Sequence, residues 1–149
     1  MAELRVFLDT SALFAGVFSP SGGARAILRL AEMDAVSLWV GPSVLREAEE
    51  VFRRKAPDLL PLLATLLHQA HVHVAPEPSP EHAKLAQEVV EYEPDQRVIA
   101  EALSAEASYL ATHDQVHLLH NPRVEQLPYL LGTPGDCLAW LRQALRPAE

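Results

Sequence analysis

The sequence predicts an α/β fold, a mostly parallel sheet with helices on both faces. Three observations predict it. Short apolar runs of strand length alternate with stretches of helical periodicity, the pattern that builds a sheet through crossover connections. Asp9 and Asp114 stand at or just past the ends of two such runs, on the edge where open α/β sheets hold their ligands. Asp95 stands at the start of the helical stretch that feeds the second of these runs. With 149 residues, 49% of them apolar, the chain is sized for one domain, 1–149, and can bury a sizeable core.

Taken in order, Leu4 to Leu8 is a strand-length apolar run, and Asp9 follows it directly. Thr10 and Ser11 supply capping hydroxyls before Ala12-Leu13-Phe14-Ala15, a helix start. Ser19 to Gly23 is a loop, and a second helix runs from about Ala24 to Met33 on an apolar face of Ile27, Leu28 and Leu30. Arg25 and Arg29 fall at i, i+4 on that helix, the spacing of a solvated face. Val36 to Val40 reads as a second strand ended by Gly41-Pro42, and proline suits the first turn of the helix SVLREAEEVFRRK. On that helix Val44, Leu45, Ala48, Val51 and Phe52 share one arc, flanked by Glu47 on one side and Glu49 on the other. Periodicity does not choose between these two glutamates. Arg53, Arg54 and Lys55 form the densest basic cluster, placed to complement the helix dipole.

Leu59 to Ala70 is apolar and helical in pattern, with Pro61 in its first turn. His71 to Val74 alternates like a short strand, and Ala75 to Pro80 is a proline-rich connector. Ser79-Pro80 caps a helix with Ala83, Ala86, Val89 and Val90 inward. Asp95 then heads a helix with Val98, Ile99, Ala102, Leu103 and Ala105 at helical spacing, and Tyr109 to Thr112 is a short buried strand before Asp114. Val124 to Leu131, interrupted by Pro128, is irregular or an edge strand. Thr133-Pro134 caps a last helix packed through Cys137, Leu138, Leu141 and Leu145.

Composition narrows the function classes. The net charge of −8 argues against a chain that coats nucleic acid electrostatically, but it suits a carboxylate cluster neutralised by metal. The single Cys137 leaves no internal disulfide and fits a reducing compartment. No apolar run approaches membrane-spanning length, and a strand pattern begins at once without a signal peptide, so a cytoplasmic protein without a membrane partner is expected. Clustered carboxylates without matching lysines repel one another, and a hard cation such as Mg²⁺ or Mn²⁺ relieves that repulsion. The usual chemistry of such a centre on nucleic acid is hydrolysis.

Four segments in this order resemble the PIN domains, small metal-dependent ribonucleases: FLDTSAL around Asp9, PSVLREAEEVF, PDQRVIAEAL around Asp95, and YLATHD ending at Asp114. The likeness runs on to the C-terminal TPGDCLAWL, and FSPSGG is similar to the stand-alone, VapC-like toxins. The resemblance implies a PIN-like three-layer sandwich around a sheet of four or five strands. It also implies a homodimer, an antitoxin partner and an RNA substrate. Aligning PSVLREAEE to the family's helix puts the acidic residue on Glu47. The site expected is therefore Asp9, Glu47, Asp95 and Asp114 holding one or two Mg²⁺ or Mn²⁺ ions, with Thr10, Ser11 and Thr112 orienting them. Arg25, Arg29, Arg53, Arg54 and Lys55 would frame an RNA groove.

The chain departs from the family's pattern in three places. His113 stands where a glycine usually precedes the third aspartate, and Glu106 or Ala107 stands where a glycine ends the preceding helix. Where many members carry a fourth acid, this chain has Val116 and His117. His113, His117 and His120 are spaced like ligands on a helix, yet surface or capping roles are the expectation for them. The second reading of the whole chain is a non-catalytic interaction module on the same scaffold.

Overall fold

The computed structural model describes residues 3–147. Five strands form one sheet: β1 (Arg5–Leu8), β2 (Ser37–Val40), β3 (His73–Val74), β4 (Tyr109–Ala111) and β5 (Leu130–Gly132). Every pairing is parallel, in the order β3-β2-β1-β4-β5. Seven helices connect and follow them: α1 (Thr10–Phe18), α2 (Gly23–Glu32), α3 (Pro42–Lys55), α4 (Leu60–Gln69), α5 (Pro80–Val89), α6 (Glu93–Ser104) and α7 (Pro134–Ala144).

The layering follows from the strand order. From β1 the chain steps to β2 and β3 on one side, then returns past β1 to β4 and β5 on the other. Parallel crossovers are right-handed, so reversing direction puts the connecting helices on opposite faces. Accordingly α1, α2 and α7 pack together, and α5 packs on α6. The central strands are covered on both faces: Val6, Phe7, Leu8 and Leu110 are fully buried, each worth roughly 1.5–3 kcal/mol over an exposed side chain. The order reverses between β1 and β4, and their ends are level, Leu8 pairing with Ala111. A ligand crevice belongs at that point.

Several boundaries differ from the sequence reading. Asp9 itself caps α1, its side chain accepting from the Ala12 N–H at 2.9 Å, so Thr10 and Ser11 lie inside the first turn rather than before it. An aspartate caps as well as a serine or threonine. The helix carrying Asp95 begins at Glu93, which puts Asp95 within its first turn and not at its head. Residues 124–131 divide into the end of a 3-10 turn (Pro122–Gln126) and the edge strand β5. The segment after Asp114 is a short π-helical turn, Gln115–Leu119.

Three helices end alike. After α2, α4 and α6 the chain turns through Asp34 (φ 60°), His71 (φ 53°) and Glu106 (φ 53°), all in the left-handed region. At α6 the Glu106 N–H donates to the Leu103 carbonyl (3.0 Å) and the Ala107 N–H to Ala102 (3.1 Å), the paired bonds of a Schellman cap. Glycine is the usual residue there because it has no Cβ to collide. Glu106 is thus the one of the two expected positions that takes the glycine-like backbone.

Candidate metal centre

Asp9 leaves β1 and Asp114 follows β4, side by side at the carboxyl edge of the sheet. Asp9 is almost wholly buried, 6% exposed, and both its oxygens are occupied. Oδ1 accepts from the Ala12 N–H and from the Ser11 hydroxyl (2.7 Å); Oδ2 accepts from the Thr112 hydroxyl. The Thr112 oxygen in turn accepts from the Asp114 N–H at 3.0 Å, and the Ser11 oxygen accepts from the His113 N–H at 3.0 Å. Two hydroxyls therefore tie the turn after β1 to the turn after β4. Thr10 reaches outward instead, donating to Glu47 Oε2 at 3.2 Å and joining α3 to the same edge.

Asp95 comes from the opposite face, in the first turn of α6. Its Oδ2 is buried and takes no hydrogen bond of acceptable geometry, although the His117 Nδ1 stands 3.2 Å away. The same nitrogen is 3.3 Å from Asp114 Oδ2, and one ligand atom from each of Asp95, Asp114 and His117 lies within 4.8 Å of the others. Burial, then the charge of Asp114, pushes the Asp95 carboxyl up from 3.8 to about 6, with His117 opposing. Burial also raises Asp9, against the three hydrogen bonds it accepts. Among the described residues, no lysine or arginine pairs with Asp9, Glu47, Asp95 or Asp114. Hard oxygens without cationic partners, one of them buried and unsatisfied, fit a divalent cation. A hollow of about 600 Å³ lies at the far, amino edge against Val36, Ser37 and His71, and none of the four acids lines it.

A family model described as a PIN domain matches residues 5–116. The chain belongs to the PIN-domain family. PIN domains are generally nucleases that use divalent metals. The match spans all four acids and stops one residue short of His117. No curated protein matches this PIN domain by sequence. Among solved structures it is similar to one chain of VapBC2 from Rickettsia felis, crystallised bound to a DNA fragment from its promoter. That likeness has a TM-score of 0.62 at 14% identity and covers 87% of this chain and 97% of the other, a likeness of fold.

The remaining residues singled out in the sequence fall elsewhere in this PIN domain. Arg25 donates to the carbonyls of Gly16 (2.6 Å) and Val17 (3.1 Å), closing the end of α1, and Arg29 donates to Pro20 (3.2 Å). Arg53, Arg54 and Lys55 are exposed in the last turn of α3. No helix is long and apolar enough to cross a membrane among the described residues.

Two residues stand in places that the sequence pattern does not give them. His117, expected on the surface or in a cap, is partly exposed yet turns its Nδ1 between two carboxylates. Glu101, to which the sequence pattern assigns no role, is fully buried. It accepts from the Ser43 N–H (3.1 Å) and hydroxyl, with the Arg97 Nε at 3.9 Å, and so fastens the start of α3 to α6. A Cβ on Gly41 would come within 2.0 Å of its Oε1, which leaves glycine as the residue that fits there. The signal was available: Glu101 lies three residues after Val98 and four before Ala105, inside the apolar stripe of α6.

Proposed function

We propose that this chain is a metal-dependent endoribonuclease that hydrolyses RNA phosphodiesters, acting as the toxin of a toxin–antitoxin pair. One observation carries the reading. Carboxylates from three separate elements converge where the strand order reverses, with no lysine or arginine partner among the described residues and with a buried oxygen of Asp95 left unsatisfied. Asp9, Glu47, Asp95 and Asp114 would hold one or two Mg²⁺ or Mn²⁺ ions. When bound, such an ion lowers the pKa of a water and stabilises the leaving oxygen of an in-line displacement.

The chain's own residues prepare that chemistry. Ser11, Thr112 and the Ala12 N–H fix both oxygens of Asp9, and Thr10 holds Glu47 beside it. The acids stand on an open edge rather than in a closed cavity, as a polymer substrate requires. Arg53, Arg54 and Lys55 supply phosphate contacts at one end of α3, with Arg29 on α2; Arg25 is committed to the carbonyls of α1 and contributes less.

The assembly we infer is a cytoplasmic homodimer that also meets an antitoxin. The solved relative is itself a VapBC complex. In α4 only Leu63 is buried, while Leu60, Leu62, Leu66 and Leu67 stay partly open, and Phe18 is 56% exposed against Phe52. Apolar surface of this kind marks interfaces. Light scattering at micromolar concentration should give a dimer; a monomer would refute that part.

The decisive experiment is RNA cleavage by purified protein with Mn²⁺ or Mg²⁺, with EDTA, and with Asp114→Asn. Cleavage that needs both the metal and Asp114 supports the nuclease. Metal binding without any cleavage would favour the interaction-module reading.

A further inference from the structure

We propose that His117 is a nitrogen ligand of this same centre and that it tilts the centre away from Mg²⁺ toward Mn²⁺. The inference rests on the metal-centre reading above. The geometry is that of a ligand held in advance. The imidazole stacks on Tyr92, with centroids 4.9 Å apart and planes 17° from parallel, which sets the plane of the ring. Its backbone is held at both ends: the His117 N–H donates to Asp114 Oδ1 (3.0 Å), and the Asn121 amide donates to the His117 carbonyl (3.1 Å). The same Asn121 nitrogen also donates to the Val89 carbonyl (2.9 Å), anchoring the π-helical turn to α5. The outcome is an Nδ1 placed 3.2 Å from Asp95 Oδ2 and 3.3 Å from Asp114 Oδ2. Neighbouring ligands around a six-coordinate cation with bonds of roughly 2.1 Å stand about 3 Å apart. The His117 nitrogen has that spacing from each of the two carboxylate oxygens, and one ligand atom from each of the three residues lies within 4.8 Å of the others.

The chemistry of an imidazole then bears on which ion is held. Mg²⁺ dehydrates reluctantly and takes oxygen ligands almost exclusively, whereas first-row transition metals accept imidazole readily. Replacing one oxygen by nitrogen therefore favours Mn²⁺ over Mg²⁺ compared with the same centre built of carboxylates alone. The rival account is that His117 only neutralises the two acids as an imidazolium when metal is absent. That role predicts displacement of the ring by metal, whereas ligation predicts a bond to it.

The test uses the full chain stripped of metal and titrated with Mn²⁺ or Mg²⁺ alone, read by calorimetry and by thermal melting. Pulsed electron paramagnetic resonance of the Mn²⁺-loaded wild type reads the ligand directly. We expect ¹⁴N coupling to the manganese that disappears in His117→Ala. That variant should bind Mn²⁺ at least ~10-fold more weakly, since even the loss of an outer-shell partner costs ~10–100-fold. His117→Asp should tighten Mg²⁺ and shrink the Mn²⁺/Mg²⁺ affinity ratio by about tenfold, as an all-oxygen centre would. Metal binding that depends on Asp95 and Asp114, yet shows no nitrogen coupling and is unchanged in His117→Ala, overturns the ligand role and leaves the centre standing. Failure of the wild type to bind either ion overturns both readings. The wild-type spectrum alone tests for a nitrogen ligand, and His117 is 44% exposed, so the variants that assign it should fold.

Discussion

The two edges of the sheet are built on different compromises. At the carboxyl edge Asp9, Asp95 and Asp114 stand within reach of one another's charges, and burial and mutual repulsion raise the carboxyls of Asp9 and Asp95. At the amino edge α2, α4 and α6 end on Asp34, His71 and Glu106, each with a backbone that L-residues disfavour. The first compromise is electrostatic and a bound cation would relieve it; the second is conformational and no ligand relieves it. Local instability at one edge is therefore conditional, and at the other it is permanent. Glu101 sharpens the contrast, because it too is a buried carboxylate, but one whose donors are supplied by Ser43 and Arg97.

The largest effect expected is on chemistry. Asp9→Asn or Asp114→Asn removes a charge from the centre, and several kcal/mol of charge stabilisation correspond to roughly 10²-fold or more in rate. Cleavage assays on the two variants check this. In melting experiments, metal at a hundredfold excess over its dissociation constant should stabilise the wild type by about 2.7 kcal/mol. Both variants should lose most of that gain. Equal gains in variant and wild type would make these aspartates plain helix caps.

Next comes the satisfied carboxylate. Glu101→Ala leaves the Ser43 N–H without its acceptor and opens a cavity, and should cost ~3 kcal/mol in urea unfolding. Asp95→Asn should move the other way and stabilise the metal-free protein by ~1–2 kcal/mol, discounted for solvent screening. If both substitutions destabilise alike, the distinction between satisfied and unsatisfied acids fails.

The pH dependence follows from the sign of the shift. Asp95 is raised to about 6 in the folded chain, against an ordinary 3.8. The folded state thus binds that proton more tightly, and its contribution is fully present below about 4 and lost as pH rises through 6. Without metal, then, the contribution of Asp95 to stability falls between these values. A stability profile measured in EDTA should flatten over that window in Asp95→Asn.

The smallest effect belongs to the amino edge. Glu106→Gly should stabilise by about 1 kcal/mol: the left-handed backbone penalty vanishes, and the greater freedom of glycine in the unfolded chain offsets only part of that gain. The exposed Arg5–Glu106 pair, 3.8 Å apart, offsets little of this. Thermal melting should show the gain equally with and without metal, unlike every change at the other edge.

Much of the architecture was legible because its causes are local. An apolar run followed at once by Asp9, or nearly so by Asp114, marks a strand end whether or not the partner strand is known. Glu47 was not decided by periodicity, and the bond from Thr10 that brings it to the edge crosses 37 positions. His117 was illegible for the same reason: its partners Asp95 and Tyr92 lie on α6 or just before it, and a one-dimensional spacing of histidines carries no trace of them. The start of α6 was misplaced by two residues because Pro94 and Asp95 are each good first-turn residues, and either can stand at the second or third position as well as the first.

The Thr112 bond to Asp9 joins residues 103 positions apart. A ribosome adding roughly 5–20 residues each second must therefore work for several seconds after Asp9 emerges before its partner strand exists. Over that interval Asp9 can already cap α1 through the Ala12 N–H, a contact of neighbouring residues, while the long-range partners of the centre are still absent. A nascent chain that stops short of β4 keeps the Ser11 hydroxyl on Asp9 but has neither Asp114 nor the Thr112 hydroxyl that holds the second oxygen of Asp9. The carboxylate edge can thus assemble only after the chain has been made through Asp114, however early α1 is capped.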